Sequence, residues 1–119
     1  MDDRPDELDA NAVAGLVQEL RRGTVVLGCL CVLTEPRYGY ALLATLEQAG
    51  LAVDANTLYP LLRRLEKQGL LTSEWNTDEA RPRKFYVVSP LGSRVREALA
   101  AEWADLNRHL DTVIQGVKP

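Results

Sequence analysis

Asn56, Tyr59, Arg63 and Lys67 follow one another at steps of three and four residues, with Arg64 beside them. On a helix this spacing stacks them along one polar, basic face. Such a face suits duplex DNA. An arginine can pair with both acceptors of a guanine edge, and an asparagine can pair with adenine. Asn56 and Arg63 are therefore candidate base readers, and Thr57 joins the same DNA-facing group. Tyr59, Arg64 and Lys67 are candidates for phosphate contacts. A second basic cluster, Arg81, Arg83 and Lys84, is expected to meet phosphates too. Tyr38 and Tyr40 each carry a hydroxyl able to donate to a phosphate; burial as a core aromatic is an equal alternative for one of them. The plain alternative for the basic helix face is a solvated surface.

Other chemistries find little support. Cys29 and Cys31 lie two apart, about 200° around a helix, so within one helix they cannot share a metal or a disulfide. Both are expected in the core, with a redox-sensing thiol as the alternative. His109 sits in a charged helical stretch, so a surface role is expected rather than catalysis or zinc. The sequence holds no G-x-S-x-G, no P-loop and no dinucleotide fingerprint. No catalytic residue, metal or cofactor is expected.

Net charge is −3 over 119 residues, which alone argues against nucleic acid. Its distribution argues otherwise. Residues 1–9 carry five acids and one base, whereas 56–68 and 81–84 together carry six bases and one acid, a net +5. A chain of this length can bury a core without disulfides or metals. No apolar run is long enough to span a membrane, and the acidic start is unlike a signal peptide, so a cytoplasmic protein is expected.

Several elements must position these residues. Asp9 or Asn11 can cap a first helix carrying Val13, Leu16, Val17 and Leu20; Gly23 either breaks it or is packed against. Thr24–Leu33 is apolar on all sides and reads as buried. A break at Thr34–Gly39 leads to a short helix, Tyr40–Gln48, with Leu42, Leu43 and Leu46 inward. The helix over 56–68 follows. Its Leu58, Leu61, Leu62 and Leu65 form an apolar face, Asp54 or Asn56 caps it, and Gly69 ends it. Pro60 fits only in its first turn. Two short helices, the second basic outside, form a helix-turn-helix pattern. Residues 70–76 and 84–89 are rich in aromatic and β-branched types and read as strands joined by the polar loop Thr77–Arg83. That hairpin makes a wing with a basic tip. Trp75, in its first strand, is expected to pack.

Ser89 can cap a last helix over 91–117. Its Leu91, Val95, Leu99, Trp103, Leu106, Leu110, Val113 and Val117 form an apolar seam. At roughly 1.5 Å per residue the helix runs near 39 Å, longer than the domain requires. The seam, Leu99, Trp103, Leu106, Leu110 and Val113 in particular, is expected to bind a second copy of the chain; the alternative folds it back along residues 12–33. Two-fold symmetry would bring two copies of Trp103 together, where a planar aromatic effector could stack between indoles. Plain packing is the alternative for Trp103.

Leu20-Arg21-Arg22-Gly23-Thr24, Tyr38-Gly39-Tyr40, the run from Thr57 to Leu71 (TLYPLLRRLEKQGLL), Arg83–Ser89 (RKFYVVS) and Gly92 resemble the PadR family of bacterial transcriptional regulators. The likeness covers about residues 20–95. Ser89-Pro90-Leu91-Gly92 departs from the usual Thr-x-x-Gly, as does Phe85 before the tyrosine. The short C-terminus is similar to the small subgroup with one C-terminal helix. The resemblance implies a dimeric winged-helix repressor, often released from DNA by a small phenolic or drug-like aromatic.

The expected fold is mostly α with a small β-hairpin. An acidic arm and the start of the first helix occupy 1–19, a winged helix-turn-helix 20–90, and a dimerisation helix 91–119. The expected function is a ligand-responsive repressor, a homodimer on a palindromic operator of double-stranded DNA. The alternatives are a winged-helix module for protein contacts alone, or a thiol-based redox regulator.

Overall fold

The computed structural model describes residues 10–78 and 80–116. The acidic residues expected at 1–9, with Asp9 as a possible cap, and the seam residue Val117 lie outside that range. Helix α1 runs unbroken over Ala10–Val32. Gly23 neither interrupts it nor meets a close neighbour. A turn leads to strand β1 (Arg37–Tyr38), then helix α2 (Gly39–Gln48) and helix α3 (Ala55–Lys67). Strands β2 (Leu71–Asn76) and β3 (Arg83–Val88) precede helix α4 (Pro90–Ile114).

The sheet has three antiparallel strands in the order β1-β3-β2, so the wing is a hairpin with a third, two-residue edge strand. That strand was not expected from the sequence. Two residues carry no period to read, and β1 owes its form to pairing Arg37 with Tyr86 and Tyr38 with Phe85. The Arg37 Nε donates to the Val32 carbonyl at 3.2 Å, fastening the strand to the end of α1.

One apolar core joins these pieces. Cys29, Leu30 and Leu33 of the α1 end meet Leu42 and Leu46 of α2, Leu58, Leu62 and Leu65 of α3, and Leu71 and Tyr86 of the sheet. Within Thr24–Leu33 every residue but one is buried or half-buried. Cys31 is exposed, contrary to the expected core position for both cysteines. The two-residue step that separates the thiols around the helix also turns one of them outward.

Three caps fix the register of α3 and α4. The Asp54 carboxylate accepts from the Thr57 N–H at 2.8 Å and starts α3 at Ala55, so Pro60 lies in the second turn rather than the first, where its missing N–H leaves the Asn56 carbonyl without an intrahelical donor. Gly69 takes φ +79°, a left-handed conformation that closes α3 and turns the chain into β2. The Ser89 hydroxyl accepts from the Gly92 N–H at 2.9 Å and itself donates to the Gly69 carbonyl at 2.6 Å, tying the start of α4 to the end of α3.

Helix α4 divides its seam. Val95 and Leu99 pack on the protein's own core. Leu99, expected in a dimer contact, is thus used within the chain. Beyond it Trp103, Leu106, Leu110 and Val113 are exposed, as are Val13, Leu16, Val17 and Leu20 on the first half of α1. The fold-back alternative holds for the first turns of α4 only. The molecule measures 64 × 32 × 23 Å.

Candidate nucleic-acid interface

Helix α3 offers different neighbours on each flank. Leu58, Leu62 and Leu65 are its anchor in the core. Tyr59, Arg63 and Glu66 turn toward the wing, where Tyr59 and Arg63 line a cleft of about 630 Å³ together with Trp75, Arg81, Arg83 and Lys84. Thr57 and Arg64 instead line a groove of about 950 Å³ against α1, beside Arg21 and Arg22. Asn56 and Lys67 are exposed at the two ends of the helix. The sequence reading placed Arg64 with Arg63 on one basic face; the structure sets them on opposite flanks, because adjacent residues lie about 100° apart around the helix.

The cleft has a built wall. Tyr38 and Tyr40 stack with ring centroids 5.8 Å apart and planes 7° from parallel, and Phe85 meets Tyr38 edge-on at 6.1 Å. The Asn76 amide donates to the Tyr38 hydroxyl at 2.6 Å. The Arg83 guanidinium lies 5.1 Å from the centre of the Tyr40 ring and donates to its hydroxyl at 3.0 Å. Tyr38 is half-buried with its hydroxyl engaged, whereas Tyr40 stays 53% exposed. Of the two tyrosines, Tyr40 therefore keeps a surface for a ligand. Tyr59 packs on Gly39: a Cβ added there would come within 2.5 Å of the Tyr59 ring. This contact settles the Tyr59 ring against the start of α2 and leaves it half-buried.

Lys84 departs most from its expected phosphate role. Its Nζ is 3.4 Å from a Glu66 carboxylate oxygen and 5.4 Å from the centre of the Tyr86 ring. The Ser73 hydroxyl donates to the other Glu66 oxygen. The Ser73 bond, then the Lys84 charge, holds the Glu66 carboxyl below its ordinary range against the opposing effect of burial. This bridge locks the wing to α3 and pairs the one acid that the helix turns toward the cleft.

Trp75 corrects another expectation. It is 62% exposed rather than packed. Strand alternation puts it on the same face as Leu71 and Ser73, toward α3, but β2 outruns the core there. Sequence reasoning missed this, though the two-residue period from buried Leu71 pointed to the cleft side.

The two thiols differ in access, Cys29 being buried and Cys31 exposed. Burial pushes the Cys29 thiol up to about 12, which leaves it protonated and inert. His109 is exposed on α4. Among the described residues no cluster of His, Cys, Asp or Glu could hold a metal, and no helix is long and apolar enough to cross a membrane.

The arrangement is a helix-turn-helix (α2 and α3) followed by a two-stranded wing. The family model of the transcriptional regulator PadR-like family matches residues 26–98, more than half of the chain. The chain belongs to the PadR-like family of transcriptional regulators. It is similar to the crystal structure of a PadR family transcriptional regulator from Eggerthella lenta DSM 2243, at 44% identity and a TM-score of 0.85, covering 91% of this chain and 96% of that one. It is also 42% identical over 55 residues to a transcriptional regulator of Mycobacterium tuberculosis, a match that spans 46% of this chain and about half of that relative. PadR-like proteins are transcriptional regulators, not enzymes. Within the PadR-like fold the expected site residues Tyr40, Tyr59, Arg63, Arg81, Arg83 and Lys84 converge on the cleft, and Tyr38 supports it from behind.

Proposed function

We propose that the protein is a repressor that binds double-stranded DNA as a homodimer on a palindromic site. The observation that carries this reading is the convergence of Arg63 on α3 with Arg81 and Arg83 of the wing along one cleft. In it α3 enters the major groove, with Arg63 and Asn56 at base edges, while the wing arginines meet the backbone. Arg64 meets a phosphate on the other flank of α3, and Lys67 one at its C-terminal end. The exposed apolar rows on α1 and on the outer half of α4 support association with a second copy.

A planar aromatic effector is part of the same reading. Trp103 is 51% exposed on the seam of α4, so a two-fold partner would bring two indoles to one interface. A guest between them would change the angle of the subunits and hence the spacing of the two α3 helices, coupling its binding to DNA release. In Trp75→Phe protein Trp103 is the remaining tryptophan. Quenching of its emission by planar aromatics, together with release of duplex, supports the effector; a broad panel without either effect assigns Trp103 to packing.

Selection of bound sequences from a random duplex pool tests the main reading. The expected product is an inverted repeat with half-sites about one turn, roughly 34 Å, apart. A pool that shows no enrichment, or a lone unrepeated site, contradicts it.

A further inference from the structure

Trp75 presents a large indole to solvent beside cations from two elements. Arg63 of α3 and Arg81 and Arg83 of the wing line the same cleft as Trp75. Lys84, its cross-strand partner, is drawn aside to Glu66, so the indole face is not covered by its nearest neighbour. The far wall of the cleft is rigid, since Tyr40 is held by Tyr38 and Arg83. An apolar plate set between cations has the chemical pattern of a nucleic-acid backbone in reverse, where an apolar sugar edge alternates with phosphates.

We propose that Trp75 contacts DNA directly, its indole lying against a deoxyribose of the strand seated in the cleft while the arginines take the flanking phosphates. The indole thereby acts as a stop that sets how deeply α3 enters the major groove. This rests on the DNA-binding reading above. A protein partner fits less well, because the cations on both sides of the indole would need matching acids spaced like phosphates.

Trp103→Phe leaves Trp75 as the single tryptophan and keeps the α4 seam apolar. Duplex binding is followed independently by the anisotropy of a labelled duplex. As the duplex saturates, Trp75 emission should shift and its quenching by acrylamide should fall, both at the stoichiometry that anisotropy reports. Trp75→Ala, checked for native circular dichroism, should bind selected and random duplexes about fivefold more weakly, the factor for shielding roughly 40 Å² of apolar surface. Its salt dependence should match the wild type, since no cation is removed. A bound complex in which Trp75 is as quenchable as in the free protein overturns the proposal, as does Trp75→Ala binding like the wild type. Absence of any anisotropy rise with the wild-type chain overturns the DNA reading itself and this contact with it.

Discussion

Arg63 and Arg83 occupy the same cleft but are expected to fail differently. Arg63 projects from α3 and addresses base edges, so Arg63→Ala should weaken binding to the selected site by about 1–3 kcal/mol and relax its base preference. Arg83 sits on β3 with its guanidinium against Tyr40, so Arg83→Ala should weaken all duplexes alike. Affinities of both variants for selected and random duplexes check this; equal losses for Arg63→Ala on both would remove it from base reading. Residue types told much of this site in advance. Basic and aromatic side chains at helical spacing named Tyr59 and Arg63, and a basic loop named Arg81 and Arg83. What the types could not tell was pairing across elements. Lys84 reads as one more cation until Glu66 and Ser73 are brought beside it from 18 and 11 residues away in the chain. Trp75 reads as core until the edge of the core is known.

At the scale of elements the helices were legible because their signals are local. Asp54 and Gly69 bracket α3, and Ser89 with Pro90 starts α4, each through a cap or a backbone preference of its own. Strand β1 was not legible, since its two residues are extended only through pairing with β3. The junction of the wing with α4 depends on Gly92. A Cβ there would overlap the Leu70 carbonyl oxygen and approach the Val88 side chain at 2.6 Å. The neighbour is backbone, held by the Ser89 N–H at 2.9 Å, so it cannot step aside cheaply. Gly92→Ala should therefore destabilise the fold by about 1–3 kcal/mol through overpacking. Urea denaturation followed by circular dichroism measures it. Wild-type stability in the variant would mean that α4 shifts freely against β2, and that the wing is not fixed to it.

For the whole molecule, the proposed dimer rests on the apolar surface left uncovered. Leu106 and Leu110 lie exposed on α4 beyond the point where Leu99 joins the core. A second copy covering them would exclude water from a continuous seam with Trp103 and Val113. Changing both Leu106 and Leu110 to Asp places unpaired charges in that interface, a cost of several kcal/mol. The double variant should sediment as a monomer, keep its helical content and lose affinity for a palindromic site. A dimer of undiminished stability would put the association surface elsewhere, with the Val13–Leu20 row of α1 as the next place to look.

The central claim is that α3 and the wing hold duplex DNA by its phosphates as well as its bases. The affinity of the intact protein for its selected duplex, measured across a range of salt concentrations, tests this most directly. Each phosphate neutralised by an arginine or lysine releases condensed counterion, so a dimer with several such contacts on each half-site should lose affinity steeply. The expected result is a linear fall of log affinity with log salt, by a factor on the order of 10³ or more between roughly 50 and 200 mM. Affinity indifferent to salt, or no duplex binding at the lowest salt, would contradict it and leave the winged helix as a surface for protein contacts alone.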